Sequence, residues 1–352
     1  LGGINYYYAI VDQTANKYMF YFLSIVISTL VTLHFLNNRD KSVFIKQLYF
    51  VLKLISIHAF INFIMFFFVR NNLSIVNSAY NEFETFQNIF FYMTDRNQGI
   101  ISIFGLDFCR NQGLFWEPGV LQVFLNMLFF IEAFILQRNR FFLIFIAFVI
   151  LTTYSTTGLI LLLIQIGVYL KSEFKRNKLM LPIIVILFLP VYFIFNANIS
   201  AKFSGEEAMS FHKRLFDLTQ PMFIAIEHPI TGIGLDLFQF QKIRQEVYIS
   251  SEYVEQINGF FGIELQVDVT DRGSTNSIMF LLAGTGFPTT LLLLYMFFKQ
   301  QIIKHKRWLW MIIMVISVMS EPLLLRPFFL IFIISGFTHI FYKITSHKKL
   351  LI

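Results

Sequence analysis

Cysteine and charge are scarce in this sequence. Its 352 residues include one cysteine, Cys109, which excludes an intramolecular disulfide and a metal cluster held by several cysteines. Charged residues make up only 14%, whereas hydrophobic residues make up 56% and phenylalanine alone contributes 46 residues. A soluble domain of this size does not need so much apolar surface. The composition therefore indicates that lipid surrounds most of the chain.

Several catalytic motifs are also missing from the sequence. It has no Walker loop, no H-E-x-x-H zinc pair and no G-x-S-x-G nucleophile elbow. No internal repeat or low-complexity tract is visible, and residues 1–18 are too polar for us to expect a cleavable signal peptide there. We expect no metal and no cofactor, and we look for the function in the polar loops between the apolar runs.

Apolar runs long enough to cross about 30 Å of hydrocarbon recur along the chain. One run, 141–170, is too long for a single ordinary span and is interrupted near its middle by hydroxyl residues and Gly158. We interpret it as two short helices, or a re-entrant pair, that meet at this turn. The other predicted spans are 19–36, 48–69, 119–136, 180–196 and 276–298, with shorter ones at 308–321 and 328–342.

Basic residues cluster at the ends of these runs, and the clusters orient the chain. All of them fall on one side if 141–170 crosses twice, and by the positive-inside rule this side is cytoplasmic. The net charge of +7 then reflects topology and does not indicate nucleic acid. About nine crossings place the C-terminus inside. Residues 1–18 and two long loops, 70–118 and 197–275, are placed outside.

The predicted fold class is an all-α polytopic integral membrane protein with about nine to ten transmembrane helices and a large outer loop. The layout divides the sequence into three parts. Residues 1–195 hold the N-terminal transmembrane helices with outer loop 70–118, residues 196–275 form the large outer loop, and residues 276–352 hold the C-terminal transmembrane helices. We expect the function in the outer loops and in the helix ends that border them.

The first candidate constellation lies at residues 109–119, just before the predicted span at 119–136. Pro118 suits the first turn of a helix, because its missing N–H group costs nothing there. Glu117 then lies at the positive end of the helix dipole, which favours its ionised form. The carboxylate could accept a proton from a hydroxyl or hold an arginine. The alternative is a helix cap with a surface ion pair.

The second constellation is the hydroxyl-rich turn from Thr153 to Gly158. Hydroxyl groups at membrane depth need hydrogen-bond partners, so this turn must be buried in protein or line a cavity. The alternative is that these hydroxyls bond back to carbonyls of their own helix. The turn alone does not decide between the two interpretations.

The third constellation is Arg214 followed by the run His228-Pro-Ile-Thr-Gly232-Ile-Gly234. Apolar residues recur at helical spacing over 210–227, and the proline and glycines then end this predicted helix in a tight turn. A glycine-rich turn lets backbone N–H groups approach an anion. His228 could act as a base or could cap the end of the helix.

The fourth constellation is the short link from Glu321 to Arg326 between the last two spans. A carboxylate and an arginine this close to lipid pair with each other or with a ligand. Arginine binds phosphate bidentately and keeps its charge, which suits a pyrophosphate at a membrane surface. For each single arginine the alternative is an ordinary interfacial anchor. The arginines predicted on the outer side are Arg110, Arg214, Arg272 and Arg326.

Taken together, these motifs resemble the O-antigen polymerase and ligase superfamily of bacterial envelope glycosyltransferases. The matching order is Arg110, Gly113-x-x-x-Glu117-Pro118, the turn ending at Gly158, Arg214, the His228–Gly234 run, and Asn276 at the start of the next span. The resemblance implies a lipid-dependent glycosyltransferase of GT-C-like architecture in the bacterial inner membrane, with its site facing the periplasm. It also implies an undecaprenyl-pyrophosphate-linked oligosaccharide as substrate, membrane lipid as surroundings and a chain-length-regulating co-polymerase as partner.

The family's chemistry moves a glycan from the lipid carrier onto a sugar hydroxyl, which requires cations on the leaving pyrophosphate and a base for the hydroxyl. The resemblance implies that Glu117 and His228 are the catalytic candidates. Glu321 would orient an arginine. The residues predicted to bind pyrophosphate or sugar are Arg110, Arg214, Arg326, Glu321, Gly232, Gly234 and Asn276.

One departure from the family pattern bears on the reaction. Ligases of this superfamily usually carry a histidine immediately before the asparagine that begins the helix after the large loop, and here that position is Thr275. This favours a polymerase of O-antigen or capsular repeat units. The alternatives are an O-antigen ligase or a protein O-oligosaccharyltransferase. A glycolipid flippase or transporter is less favoured, because no repeat halves are visible in the sequence.

Overall fold

The structure is a computed structural model. The residues that it describes are 2–37, 41–77, 82–87, 91–95, 100–103, 106–174, 208–249 and 274–349, with residues 255 and 259. The chain forms two compact units. The first unit contains residues 1–41, 201–304 and 314–352, and the second contains residues 42–200 and 305–313. The span predicted at 180–196 and the candidate Arg272 lie outside the described residues. The predicted division of the sequence by membrane topology stays a prediction.

Helices make up most of the described chain. In chain order they are α1 (Gly2–Tyr8), α2 (Ala15–Asn37), α3 (Lys41–Val69), α4 (Pro118–Phe130), α5 (Arg140–Thr152), α6 (Thr156–Phe174), α7 (Ala208–Glu227), α8 (Leu237–Ile249), α9 (Ser277–Phe298), α10 (Arg307–Ser320) and α11 (Pro327–Lys349). A short 3₁₀ turn, Arg70–Asn72, follows α3, and a π-helix, Ile131–Leu136, follows α4. Helices α3 to α6 belong to the second unit, apart from Lys41, and α10 is shared between the two units.

Four helical segments of the described chain are long and apolar enough to cross a membrane. They are Ala15–Phe35, Ser42–Asn72, Pro118–Leu136 and Ser277–Phe298. Four shorter apolar helices are Arg140–Thr152, Thr156–Lys171, Arg307–Ser320 and Pro327–Thr338. This predominantly helical architecture is consistent with the predicted all-α membrane class. The predicted number of nine to ten spans stays a prediction.

The segment between α3 and α4 contains short strands that the sequence interpretation did not include. Strands β1 (Ser74–Asn77), β2 (Glu82–Gln87) and β3 (Phe91–Asp95) form an antiparallel sheet in that order. Strands β4 (Ile100–Ile103) and β5 (Leu106–Cys109) form a separate antiparallel pair. Strands of four to six residues give a weak sequence signal beside the long apolar runs.

The predicted interruption of 141–170 is confirmed. Helix α5 ends at Thr152 and α6 begins at Thr156, and Tyr154 between them adopts a left-handed conformation with φ of 48°. The hydroxyl groups of Thr152 and Thr153 bond back to carbonyls three residues earlier, each at 2.7 Å. The back-bonding alternative therefore holds for these two threonines, and it satisfies polar groups that are buried in the protein.

Three buried amide side chains link α4 to α6 within the second unit. Asn126 donates to Gln122 Oε1 at 3.0 Å and to the carbonyl of Gly158 at 3.3 Å, and Gln165 donates to Asn126 Oδ1 at 2.8 Å. A Cβ atom at Gly158 would lie 2.8 Å from the Cβ of Gln122. Interhelical bonds of this kind in apolar surroundings contribute about 0.6–2 kcal/mol each. The glycine that ends the hydroxyl turn thus allows α6 to approach α4 closely.

The carboxylate of Glu132 is buried in the π-helix after α4. Its Oε1 atom accepts the backbone N–H groups of Arg138 at 3.2 Å and Asn139 at 2.7 Å. Asn139 in turn caps α5 by accepting the amides of Phe141 and Phe142. Glu132 therefore satisfies backbone donors where the chain turns from α4 into α5.

Candidate functional site

Arg110 and Asn111 lie in the segment that connects β5 to α4 in the second unit. The side chain of Asn111 donates to the carbonyl of Ala59 on α3 at 2.8 Å and to Thr152 Oγ1 on α5 at 3.0 Å. Its backbone amide donates to the carbonyl of Thr152 at 3.0 Å. Arg110 is half-buried beside it, in a recess that Asn62 and Gln112 also line. Asn111 thus holds the segment carrying Arg110 against two helices.

Glu117 lies at the start of α4, with Pro118 at the first helical position as predicted. Its backbone is extended, with φ of −153°, and its carbonyl accepts the amides of Val120 and Leu121 at 3.1 and 3.3 Å. Its side chain makes no capping hydrogen bond and is exposed. The helix-cap alternative for this carboxylate is therefore not realised. Its predicted catalytic role stays a prediction.

Cys109 precedes this segment and is an unreactive thiol. It is buried, and this burial raises the pKa of the Cys109 thiol to about 12, although the nearby charge of Arg110 acts in the opposite direction. A thiol with so high a pKa contains almost no thiolate at neutral pH. Cys109 is therefore not a candidate nucleophile.

The predicted amphipathic helix over 210–227 is confirmed as α7, which lies in the first unit. Arg214 is exposed on this helix. The amide of His228 makes the last helical hydrogen bond, to the carbonyl of Ile224 at 3.0 Å, and the amide of Gly232 then donates to the carbonyl of His228 at 3.2 Å. The predicted tight turn after the helix is thus present. We call residues 228–236 the signature turn.

The signature turn packs against a break in α9. Gly286 has φ of 73° and ψ of 176°, which no helix accommodates, and Pro288 follows it. Proline has no N–H group, so the carbonyl of Gly284 loses its helical donor. The turn replaces the missing bonds through Ile233 N to Ala283 O at 2.9 Å, Gly234 N to Gly284 O at 2.9 Å, and Phe287 N to Pro229 O at 2.8 Å. Such a break is tolerated in an apolar span only where protein satisfies the backbone.

The backbone amides of the signature turn are all used inside the protein from Gly232 to Asp236. Their acceptors are, in order, His228 O, Ala283 O, Gly284 O, Tyr18 Oη and Gln13 Oε1. The expected approach of these amides to an anion is therefore not seen, because they are committed to α9 and to the N-terminal residues. A Cβ atom at Gly232 would lie 2.5 Å from the carbonyl oxygen of Ala283, so this glycine permits close packing.

Residues of α1 and of the start of α2 also bond to the signature turn, and the sequence interpretation did not include them. Asn5 donates to the carbonyls of Thr231 at 2.7 Å and Gly284 at 2.8 Å. Tyr18 donates to Asn5 Oδ1 at 2.5 Å and accepts the amide of Leu235 at 3.0 Å. An asparagine and a tyrosine near the start of a chain give no local signal for such contacts.

Asp236 ends the signature turn and caps α8. One carboxylate oxygen accepts the amide of Phe238 at 2.9 Å, and the other accepts both the amide and the hydroxyl of Thr14. Burial raises the pKa of Asp236, but these hydrogen bonds outweigh it and hold the pKa below its usual value. The ionised form of Asp236 is thus favoured by its contacts with Thr14 and α8.

A buried ion pair joins α7, α8 and the start of α9. Arg244 Nη2 lies 2.7 Å from Asp217 Oδ1, and both side chains are almost completely buried. Gln220 bonds to Arg244 in both directions. Arg244 Nε donates to Gln220 Oε1 at 2.6 Å, and Gln220 Nε2 donates to the carbonyl of Arg244 at 2.6 Å. The guanidinium group also lies over the ring of Phe216, 4.8 Å from its centroid.

Thr275 is bound to the same carboxylate. Its backbone amide and its hydroxyl both donate to Asp217 Oδ2, at 2.9 and 2.8 Å. Sequence reasoning did not single out Asp217 or Arg244. The available signal was that Asp217 and Gln220 lie two turns and one turn before the apolar Ile224, on one face of an amphipathic helix.

Asn276 begins α9, as the sequence predicted, by capping it. Its side-chain oxygen accepts the amides of Ile278 at 3.2 Å and Met279 at 3.1 Å. We expect Asn276→Ala to lower the free energy of unfolding by about 1 kcal/mol and Asn276→Asp to retain most of it, because aspartate also caps. Denaturant unfolding followed by circular dichroism measures both. Equal losses for the two variants would mean that capping is not the role of Asn276.

The link that carries Glu321 and Arg326 is fastened to α9 through Ser277. The Ser277 hydroxyl donates to the carbonyl of Glu321 at 2.5 Å and accepts the amides of Leu323 and Leu324 at 2.8 and 3.3 Å. Glu321 is buried, whereas Arg326 is exposed and lies 5.6 Å from the centroid of the Phe20 ring. The predicted pairing of Glu321 with an arginine stays a prediction.

The candidate residues thus fall into two groups. Arg110 and Glu117 belong to the second unit, and the other candidates belong to the first. Within the first unit, α9 is the common element, because the signature turn, Asn276 and the link at Glu321 all bond to it. Groups of three or more His, Cys, Asp or Glu side chains that could hold a metal ion do not occur in the described part of the chain.

The predominantly helical fold with four candidate spans is consistent with a helical membrane protein. Residues 141–294 match the family model described as O-antigen ligase. This match over residues 141–294 confirms the resemblance to the O-antigen polymerase and ligase superfamily. No curated protein and no solved structure matches the chain.

The family match supports glycosyl transfer of the ligase or polymerase type, with lipid-linked oligosaccharide and membrane lipid as partners in general. The matched residues include the turn between α5 and α6, the whole signature turn and the start of α9. Arg110, Glu117, Glu321 and Arg326 lie outside the match.

Proposed function

We propose that this protein is an O-antigen or capsular polysaccharide polymerase. It joins oligosaccharide repeat units carried on undecaprenyl pyrophosphate, at the periplasmic face of the bacterial inner membrane, with its C-terminus in the cytoplasm. A chain-length-regulating co-polymerase is the partner that we propose for it. The family match to residues 141–294 supports glycosyl transfer, and the choice of polymerase rests on Thr275.

The hydrogen bonding of Thr275 is the observation that carries the choice of polymerase over ligase. This residue stands where ligases of the superfamily usually carry histidine. Its hydroxyl donates its proton to Asp217, and the same carboxylate is paired with Arg244. A hydroxyl held in this way cannot act as a base in place of an imidazole. The ligase-type activation of an acceptor is therefore not supported at this position.

The proposed mechanism needs a cationic site for the leaving pyrophosphate and a base for the acceptor hydroxyl. We assign the pyrophosphate to Arg110, Arg214 and Arg326, because guanidinium groups bind phosphate bidentately. Arg214 and Arg326 are exposed, and Arg110 is half-buried. A nucleotide donor is not required, since the carrier's pyrophosphate is already an activated leaving group.

We assign the proton of the acceptor hydroxyl to Glu117 or His228. Glu117 is exposed and makes no capping bond, so its carboxylate is available to a substrate. His228 is half-buried at the start of the signature turn. The sugar oxygen attacks the anomeric carbon as the bond to pyrophosphate breaks, and the base takes the hydroxyl proton. Glu321 orients one of the arginines, and Asn276 fixes the helix start beside Thr275.

Deletion of the gene in its own host tests the proposal, with surface lipopolysaccharide resolved on a gel. We expect core capped with one repeat unit and no ladder. Bare core, with full-length polymer left on the lipid carrier, would make the protein a ligase instead. An unchanged ladder, together with unchanged capsule, would contradict both glycosyl-transfer assignments.

Complementation of the deletion strain with variants tests the assigned residues. Of Glu117→Gln and His228→Ala, we expect the one that removes the base to lower the rate of glycosyl transfer by about 10²–10⁴-fold. We expect each of the three arginine variants to shorten or remove the ladder. These variants are Arg110→Ala, Arg214→Ala and Arg326→Ala. Lys242→Gln is the matched control, because it removes an exposed positive charge from α8 outside the assigned set. Unchanged polymer length and yield in all five variants would overturn the assignment.

A further inference from the structure

Residues 2–11, which we call the N-terminal segment, contain one buried polar side chain, Asn5. Asn5 is buried and reaches the carbonyls of Thr231 and Gly284, at 2.7 and 2.8 Å. Those carbonyls belong to the signature turn and to the break in α9. Through Asn5 the segment is therefore tied to the backbone at the centre of the first unit.

The outer side of the same segment is apolar and exposed. The exposed fractions are 57% for Ile4, 82% for Tyr7, 70% for Tyr8 and 57% for Ile10. Residues 2–11 contain no charged side chain. Large apolar groups that are both exposed and clustered mark a surface that something covers. Tyrosine is enriched where membrane meets water, because its ring is apolar and its hydroxyl stays hydrated.

The exposed surface continues into a candidate span. Helix α2 enters the apolar segment Ala15–Phe35 directly after the N-terminal segment. Its first two turns expose Met19, Phe20, Phe22 and Leu23. In a membrane these side chains face lipid. The lipid-facing side of α2 then continues towards Ile10 and Tyr8, and Asp12 and Lys17 are the two charged residues in between.

We propose that residues 4–10 lie in the lipid headgroup layer beside α2, and that this position keeps Asn5 in contact with the signature turn. The partner is the bilayer surface itself. Because the segment is uncharged, its attraction comes from apolar burial and from the tyrosine rings, and anionic lipid adds nothing to it. The proposal concerns the position of the segment and does not depend on which glycosyl transfer the protein performs.

Spin labelling of the full chain tests the position of the segment. Tyr8→Cys carries a nitroxide, and the native Cys109 is too deeply buried to be labelled. The labelled protein is reconstituted into phosphatidylcholine vesicles, and collisions of the nitroxide with oxygen and with a water-soluble nickel chelate are compared. Lys242→Cys is the control, because it is exposed on α8 outside the candidate spans.

We expect oxygen collisions to dominate at residue 8 and nickel collisions to dominate at residue 242. Replacing a third of the lipid with phosphatidylglycerol should leave both collision rates at residue 8 unchanged. Nickel collisions at residue 8 equal to those at residue 242 would overturn the proposal, since the segment would then lie in water. Exclusion of both colliders from residue 8 would also overturn it, since protein would then cover the segment.

The second half of the proposal is tested by hydrogen exchange in the same vesicles. Tyr7→Ser combined with Tyr8→Ser removes the two rings without touching Asn5. We expect exchange of the amides of residues 233–235 to become several-fold faster, because their partners, Tyr18 and α9, are held together through Asn5. Unchanged exchange would show that lipid contact does not hold the turn. Neither readout requires transferase activity, so both are independent of the proposed function.

Discussion

Removing one charge of the pair formed by Asp217 and Arg244 is expected to destabilise the first unit more than any surface change. Asp217→Asn leaves the buried guanidinium group of Arg244 without its counter-charge. Breaking a buried ion pair on one side costs about 3–5 kcal/mol. We expect Arg244→Met to cost a similar amount, because it leaves the carboxylate of Asp217 in a site that excludes water. Denaturant unfolding of the purified chain, followed by circular dichroism, measures both.

The double variant separates the pair from its surroundings. With Asp217→Asn and Arg244→Met together, no buried charge remains, and the asparagine oxygen can still accept the amide and hydroxyl of Thr275. We expect the double variant to lose at least about 1 kcal/mol less than the sum of the single variants. Strict additivity would mean that the two side chains do not depend on each other.

Lys242→Gln is the control for general effects of charge removal on α8. Lys242 is exposed two residues before Arg244, so its replacement should change the free energy of unfolding by no more than about 0.5 kcal/mol. The single variants should also remove the polymer ladder, since Asp217 connects α7, which carries Arg214, to Thr275 at the start of α9. A stable single variant with a normal ladder would contradict the role of the pair in the site.

Features that depend on local signals could be predicted from the sequence. The apolar spacing over 210–227 predicted α7, Pro118 predicted the start of α4, and Asn276 predicted the start of α9. The hydroxyl cluster before Gly158 predicted the break between α5 and α6. In each case the residues that determine the structure lie within one or two helical turns of the feature.

Features that depend on residues far apart in the sequence could not be predicted. Asp217 and Arg244 are 27 positions apart, and Asn5 and Gly284 are 279 positions apart. Only the folded arrangement shows that the amides of the signature turn bond to α9, to the turn itself and to the side chains of Gln13 and Tyr18. The glycines alone predict an open anion-binding turn. The break in α9 has a local signal, a glycine two residues before Pro288 in an apolar span, that the prediction of a span at 276–298 does not use.

Gly232 allows a direct test of the close packing between the signature turn and α9. Gly232→Ala places a methyl group 2.5 Å from the carbonyl oxygen of Ala283, which is backbone and cannot move aside as a side chain can. The position also has φ of 66°, which costs a residue with a side chain about 1–2 kcal/mol. Overpacking adds about 1–3 kcal/mol. We therefore expect a loss of about 2–5 kcal/mol in the free energy of unfolding.

Gly167→Ala is the matched control, because it makes the same chemical change on the exposed side of α6, where nothing lies within 4 Å of the new methyl group. A glycine in a helix is less favourable than alanine, so this variant should gain up to about 1 kcal/mol. The two variants should therefore move in opposite directions in unfolding measurements, and only Gly232→Ala should remove the ladder in a complemented deletion strain. If Gly232→Ala were as stable as Gly167→Ala, the signature turn could not pack on the break in α9 as closely as the three backbone bonds between them require.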